Sequence, residues 1–193
     1  MLSVKKISKQ VYTKVGSLRG KPMTLVSLDK DKSEDLQMDH NDMVDLILAF
    51  DTKVVVIEGN ELKDNGELKE LCVGLIKVGK KVNLVTNGLD DIEVIRMHKN
   101  ILVTFNCLPP SKEQLGISKR NLYLVRERDE VKFLIKSKED FNAVSNLLTN
   151  NVILRPSVYL IIVDKVDNEE GAEIIKAYLN LTTKIKTDTK LIY

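Results

Sequence analysis

Lys53-Val-Val-Val-Ile-Glu-Gly-Asn-Glu-Leu62 is the stretch whose reading decides the fold. Val54 to Ile57 is a β-branched apolar run, short enough for a strand buried on both faces. It ends in Glu58-Gly59-Asn60, a polar turn whose glycine is free to take a positive φ. A helical pattern follows, then a second buried strand, Val82 to Thr86, ending in Asn87-Gly88. Two such strands with a helix between them make a parallel βαβ unit. In parallel α/β sheets ligands bind just beyond the carboxyl ends of the strands, so both polar turns lie where a site is expected.

Working outward, Asn65 is placed to cap a helix from Gly66 to Val78, with Leu68, Leu71, Cys72, Leu75 and Ile76 at helical spacing and Gly79 at its end. Upstream, Asn41 is the expected cap of a helix from Asp42 to Phe50, and Met23 to Leu28 is a strand. Gln10 to Val15 is a weaker strand candidate, Gly16 to Pro22 a turn, and the charged run Asp29 to Asp39 an exposed loop. Downstream, a short helix is expected from Asp90 or Asp91 to Met97 and a strand from Ile101 to Phe105. Leu108-Pro109-Pro110 then forces a loop, and residues 111–120 are polar. Val131 to Ile135 is a strand that Glu130 extends, and Ser137 with Asp140 opens a helix as a capping box. Val152 to Leu154 and Val158 to Val163 read as strand, Asn168 caps a last helix through Leu179, and Lys184 to Ile192 is a terminal strand. Strands alternating with helices from residue 41 onward predict an α/β fold, one domain over residues 1–193, with six or seven strands in a largely parallel sheet.

The composition is that of an ordinary soluble chain: 193 residues, 43% hydrophobic, 30% charged and a net charge of +2. Mixed charge and 5% aromatics argue against nucleic acid as a partner. No apolar run reaches membrane-spanning length, and Met1 to Lys9 carries no hydrophobic leader, so a cytoplasmic location with no membrane partner is the expectation. His40 and His98 have no metal partner at ligand spacing along the chain, and no P-loop or nucleophile elbow occurs.

Several stretches together resemble the 7-carboxy-7-deazaguanine synthases, radical S-adenosylmethionine enzymes of queuosine and archaeosine precursor synthesis. Gly16-Ser-Leu-Arg-Gly-Lys-Pro22 resembles the glycine-rich approach to that family's first strand. Glu58-Gly59-Asn60-Glu61-Leu62 lies where the family has Gly-Gly-Glu-Pro-Leu, and Thr86-Asn87-Gly88 resembles the end of its Glu-Thr-Asn-Gly stretch. Asn106-Cys107-Leu108-Pro109-Pro110 is similar to its Ser-Pro-Lys-Pro-Pro loop, and Asp129-Glu-Val-Lys-Phe133 to its Asp-Glu-Val-Lys-Phe strand. Leu154-Arg155-Pro156 falls near its Gln-Pro, and Thr187-Asp188-Thr189-Lys190 near its Gln-Thr-His-Lys. The resemblance spans roughly residue 10 to the end and implies a partial (β/α)6 barrel of the TIM-like, radical S-adenosylmethionine type.

The departures fall on the chemistry. The family holds a [4Fe–4S] cluster with three cysteines in one loop after the first strand. Here that loop, Ser27 to Asp39, has no cysteine. The first glycine and the glutamate of Gly-Gly-Glu-Pro are replaced, the glutamate before Thr-Asn-Gly is Val85, and the late histidine is Thr189. The resemblance therefore implies a degenerate member with no catalytic residues, no metal and no cofactor. The ligand-binding candidates are Glu58, Gly59, Asn60, Glu61, Thr86, Asn87 and Gly88. A homodimer or a protein partner is expected, with a small nucleotide-like or deazapurine ligand in the residual cleft as a further partner. The alternative is an enzyme of different chemistry using Glu58, Asn60, Glu61 and Asn87. The plainer reading of Glu58 is an ion pair with a lysine or arginine, and of Glu61 a solvated side chain.

Overall fold

The computed structural model describes residues 1–13, 16–28, 36–59, 66–89, 98–107, 119–150, 158–163, 168–182 and 189–192. The chain divides into two compact units, Met1–Thr86 with Asp90–Val103, and Asn87–Leu89 with Thr104–Tyr193.

In the first unit, β1 (Leu2–Val11) pairs antiparallel with both β2 (Met23–Leu28) and β3 (Leu36–Met38). The strands β2, β4 (Val54–Gly59) and β5 (Lys81–Thr86) are parallel, giving the order β3-β1-β2-β4-β5. The buried run on β4 is fully legible: Val54, Val55, Val56 and Ile57 are all buried. Its alternation serves two cores. Val55 and Ile57 face a large cluster with Val26, Leu28, Val82 and Leu84 and with the helices. Val54 and Val56 face a smaller cluster with Met23, Leu25 and Val85.

β1 begins at Leu2 rather than Gln10, which the sequence pattern concealed. Its apolar residues, Leu2, Val4, Ile7 and Val11, do not keep a period of two. The register slips between Val4 and Lys6 and again between Ser8 and Val11, and Gln10 takes φ +56. Each bulge adds unpaired residues and resets which face the next side chain meets. Val4 and Ile7 thereby reach the large cluster, and Val11 the small one.

The helices α1 (His40–Leu48) and α2 (Gly66–Lys77) cover the large cluster with Met43, Val44 and Ile47, and with Leu68, Leu71, Cys72 and Leu75. Each such fully buried aliphatic side chain contributes about 1.5–3 kcal/mol. The cap of α1 is Asp39, not Asn41, and its Oδ1 accepts from Asn41 N at 2.7 Å. Gly74 lies against α1, where a Cβ would stand 2.9 Å from Val44 Cγ2. Gly79, at φ +83, ends α2: its N–H donates to Ile76 O at 3.0 Å and Lys80 N to Leu75 O at 2.9 Å, a Schellman pair.

In the second unit, β6 (Ile101–Cys107), which this unit enters at Thr104, β7 (Glu130–Ile135), β8 (Val158–Val163) and β9 (Thr189–Ile192) are parallel and in that order. The helices are α3 (Lys119–Leu124), α4 (Lys138–Asn150) and α5 (Asn168–Thr182). α3 starts at the end of the polar stretch 111–120 and runs through residues to which the sequence pattern assigned no element, and its Asn121 is fully buried. Arg126 clamps Asp129 before β7, with Nε to Oδ2 at 2.9 Å and Nη2 to Oδ1 at 2.8 Å. Ser137 caps α4 as read, with Asp140 N donating to Ser137 Oγ at 3.2 Å, but the Asp140 carboxylate reaches one residue past the cap, its Oδ2 accepting from Lys136 N at 3.0 Å. The fold is thus mixed α/β with long parallel stretches. The pairings draw no closed barrel: among the described residues β3 pairs only with β1, and β9 only with β8. The expected helix from Asp90 or Asp91 to Met97 and the expected strand Val152 to Leu154 lie outside the described residues, as do Lys184 and Lys186 of the terminal stretch.

Candidate functional site

The carboxyl ends of β2, β4 and β5 form one edge of the first unit. Parallel register sets Ser27 beside Glu58, Leu28 beside Gly59, and Glu58 beside Val85. Glu58 shares its sheet face with Val54 and Val56, so the smaller cluster floors it. Its Oε1 accepts from Ser27 Oγ at 3.1 Å. Among the described residues the carboxylate's partner is this neutral hydroxyl rather than the expected lysine or arginine, and Glu58 is half-buried. A carboxylate with one such contact has spare acceptor capacity.

Gly59 takes φ +141, and a Cβ there would stand 1.9 Å from Leu28 O. This glycine is dictated by the close passage of β2 and β4, a structural demand rather than one set by a ligand. Thr86, on β5, is 2% exposed. The pleat sets it on the face of Val82 and Leu84, opposite to that of Glu58. Asn87 and Gly88 belong to the second unit. Asn87 Oδ1 accepts from Leu89 N at 2.8 Å, an Asx turn, and Gly88 takes φ +81. Gly88 O accepts from Asn121 Nδ2 at 2.9 Å, so α3 holds this turn. Asn60 and Glu61 lie outside the described residues. The fold therefore gathers Glu58, Gly59 and Ser27 at one edge, and spends Asn87 on shaping its own turn.

The donor set does not fit an iron–sulfur cluster. The chain has two cysteines, and residues 27–39 contain none. Cys72 sits on α2 and Cys107 on β6, both buried. Burial pushes the Cys72 thiol up to about 12 and that of Cys107 higher still, so neither is a thiolate near neutral pH.

A group that linear spacing hid does assemble. His40 Nδ1 lies 2.9 Å from Glu67 Oε2 and 3.6 Å from Asp39 Oδ2. Asp39 caps α1 and Glu67 stands in the first turn of α2, where carboxylates complement the positive helix ends. The hydrogen bond to Glu67 raises the pKa of His40 and lowers that of Glu67. The signal available in the sequence was Asp39-His40 ahead of a periodic apolar run, with Glu67 opening the next helix.

No protein-family model and no curated relative matches the chain. Among solved structures, the chain is similar to the crystal structure of QueE from Escherichia coli. The TM-score is 0.68 at 14% identity, over 98% of this chain and 93% of that one. The chain has a fold like that of QueE, a 7-carboxy-7-deazaguanine synthase, and at this identity the likeness is one of fold.

Proposed function

We propose that the chain is a non-catalytic protein built on a partial barrel of the radical S-adenosylmethionine type, acting as a binding, regulatory or partner subunit. The observation that carries this reading is the state of its thiols. A [4Fe–4S] cluster needs thiolate ligands, three from one loop in the family this sequence resembles. This chain has two cysteines in separate elements, each packed into a core and held protonated by burial. Without a cluster no electron reaches the sulfonium, and the scaffold is left with a binding role.

Anaerobic reconstitution with iron and sulfide tests the reading. The expected outcome is no stoichiometric cluster, no absorbance of the iron–sulfur type after desalting, and no 5′-deoxyadenosine from S-adenosylmethionine under a strong reductant. Four irons per chain with cofactor cleavage would overturn it.

A second reading rests on Glu58, a half-buried carboxylate at the carboxyl edge with only the Ser27 hydroxyl as its partner among the described residues. It supports a nucleotide-like ligand at that edge, the carboxylate accepting from an amino or ring N–H of the base. A thermal shift with deazapurines, S-adenosylmethionine and common nucleotides separates the two readings. A ligand of the native state alone raises its apparent stability by mass action, and Glu58→Gln should abolish that rise.

A further inference from the structure

The opposite end of the same strands carries a feature that the readings above leave unused. A cavity of about 480 Å³ opens at the amino ends of β2, β4 and β5 in the first unit. Its floor is apolar, made by Val54 and Leu102, and Leu18 and Pro22 form a wall. Asn83, 5% exposed, is the buried polar residue of the lining. The exposed charges around it are Lys21, Lys53 and Lys81 against a single carboxylate, Asp51.

The lysines are not there to hold the fold together. Among the described residues, none of the three makes an ion pair. The contrast with their neighbour Lys80 is direct. Its Nζ donates to Phe50 O and to Thr52 O, each at 2.8 Å, and ties two loops together. Three unpaired cations above an apolar floor repel one another and raise the local positive potential. Pockets of roughly 300–1,000 Å³ with an apolar lining and a few fixed polar groups suit small organic ligands.

We propose that this cavity binds a small organic anion, its carboxylate or phosphate held among Lys21, Lys53 and Lys81 and its apolar body laid on Val54 and Leu102. Lysines act as point charges, without the planar fork of arginine, and so accept either anionic group. A nucleic acid backbone fits less well, because the concave apolar floor offers nothing to a sugar–phosphate chain and no aromatic ring lines it. This site is independent of whether the carboxyl edge is catalytic.

The test uses the full chain and the fluorescent probe 8-anilinonaphthalene-1-sulfonate, an amphipathic anion. At low salt the folded protein should bind one equivalent saturably, more weakly as salt rises. A single exposed charge contact is worth up to about fivefold in affinity, so Lys53→Ser with Lys81→Ser should weaken binding roughly tenfold. Both positions are exposed, and the urea midpoint of this variant should stay near that of the parent. Leu102→Trp should fill the floor and remove the site. If that variant does not fold, the lysine variant alone decides. Decanoate and phenyl phosphate, added as competitors, distinguish carboxylate from phosphate selection, and displacement by either supports the proposal. Absence of saturable binding, binding unchanged in the lysine variant, or displacement by inorganic phosphate as effective as by both amphiphiles would each overturn it.

Discussion

Gly59 is the residue on which the central strand pair most depends. Its Cα passes the Leu28 carbonyl so closely that a methyl group would stand 1.9 Å from that oxygen, and its φ of +141 is one that other residues rarely adopt. Gly59→Ala should therefore destabilise the protein by about 2–4 kcal/mol, the sum of overpacking and backbone strain. Urea unfolding measures it, and a loss below about 1 kcal/mol would mean that β2 shifts to make room. The thiols give a second prediction at this scale. Cys72 and Cys107 are buried, and desolvation holds both protonated. In the native protein at pH 8 a thiol reagent should modify neither at an appreciable rate, and both should react at once in denaturant. Rapid native reaction of either would contradict the burial on which the functional reading rests.

The pairing of α1 with α2 is set at the scale of elements. His40 at the start of α1 meets Glu67 at the start of α2, 2.9 Å apart. The pKa of His40 is raised above 6.5, chiefly by its hydrogen bond to Glu67. Its contribution to stability is fully present below 6.5 and is lost as pH rises through the raised value. The pKa of Glu67 is lowered below 4.5, chiefly by the hydrogen bond to His40. Its contribution is present above 4.5 and is lost as pH falls through the lowered value. The pair is thus at full strength between about 4.5 and 6.5. The stability difference between the parent and Glu67→Gln should be largest near pH 5.5 and shrink by pH 8. A difference independent of pH from 5 to 8 would assign the contact no ionic character. The same scale explains where pattern reading failed. The helices other than α3 and the parallel strands were legible because their apolar patterns are unbroken. β1 was not, because two bulges displace its apolar residues from the alternation of a strand.

For the whole molecule, the expectation is a homodimer. The outer strands are the reason: among the described residues β3 and β9 each pair on one side only, leaving backbone donors and acceptors on the other. An uncovered edge is a template for pairing, and a second copy is one way to cover it. Sedimentation at micromolar concentration should give a species of about twice the monomer mass of 21.9 kDa. A single species near 21.9 kDa would exclude the dimer. Among the described residues no helix is long and apolar enough to cross a membrane.

The sequence by itself determined the parallel βαβ core, the ends of α2, the start of α4, and the absence of a cysteine triad. Each is written in local chemistry: a β-branched run, a glycine past a helix, a capping pair, a count of thiols. It also set Glu58 and Gly59 at the carboxyl end of a buried strand, because strand ends and polar turns are local. Only tertiary structure decided what those residues meet. Among the described residues Ser27 is the partner of Glu58, because parallel register aligns β2 with β4. The Leu28 carbonyl accounts for Gly59, and the pleat turns Thr86 away from the face of Glu58. The lysines at 21, 53 and 81 stand at the entries of three separate strands, and only strand pairing collects them at one mouth. Partners distant along the chain are chosen by register and packing, which no local pattern encodes.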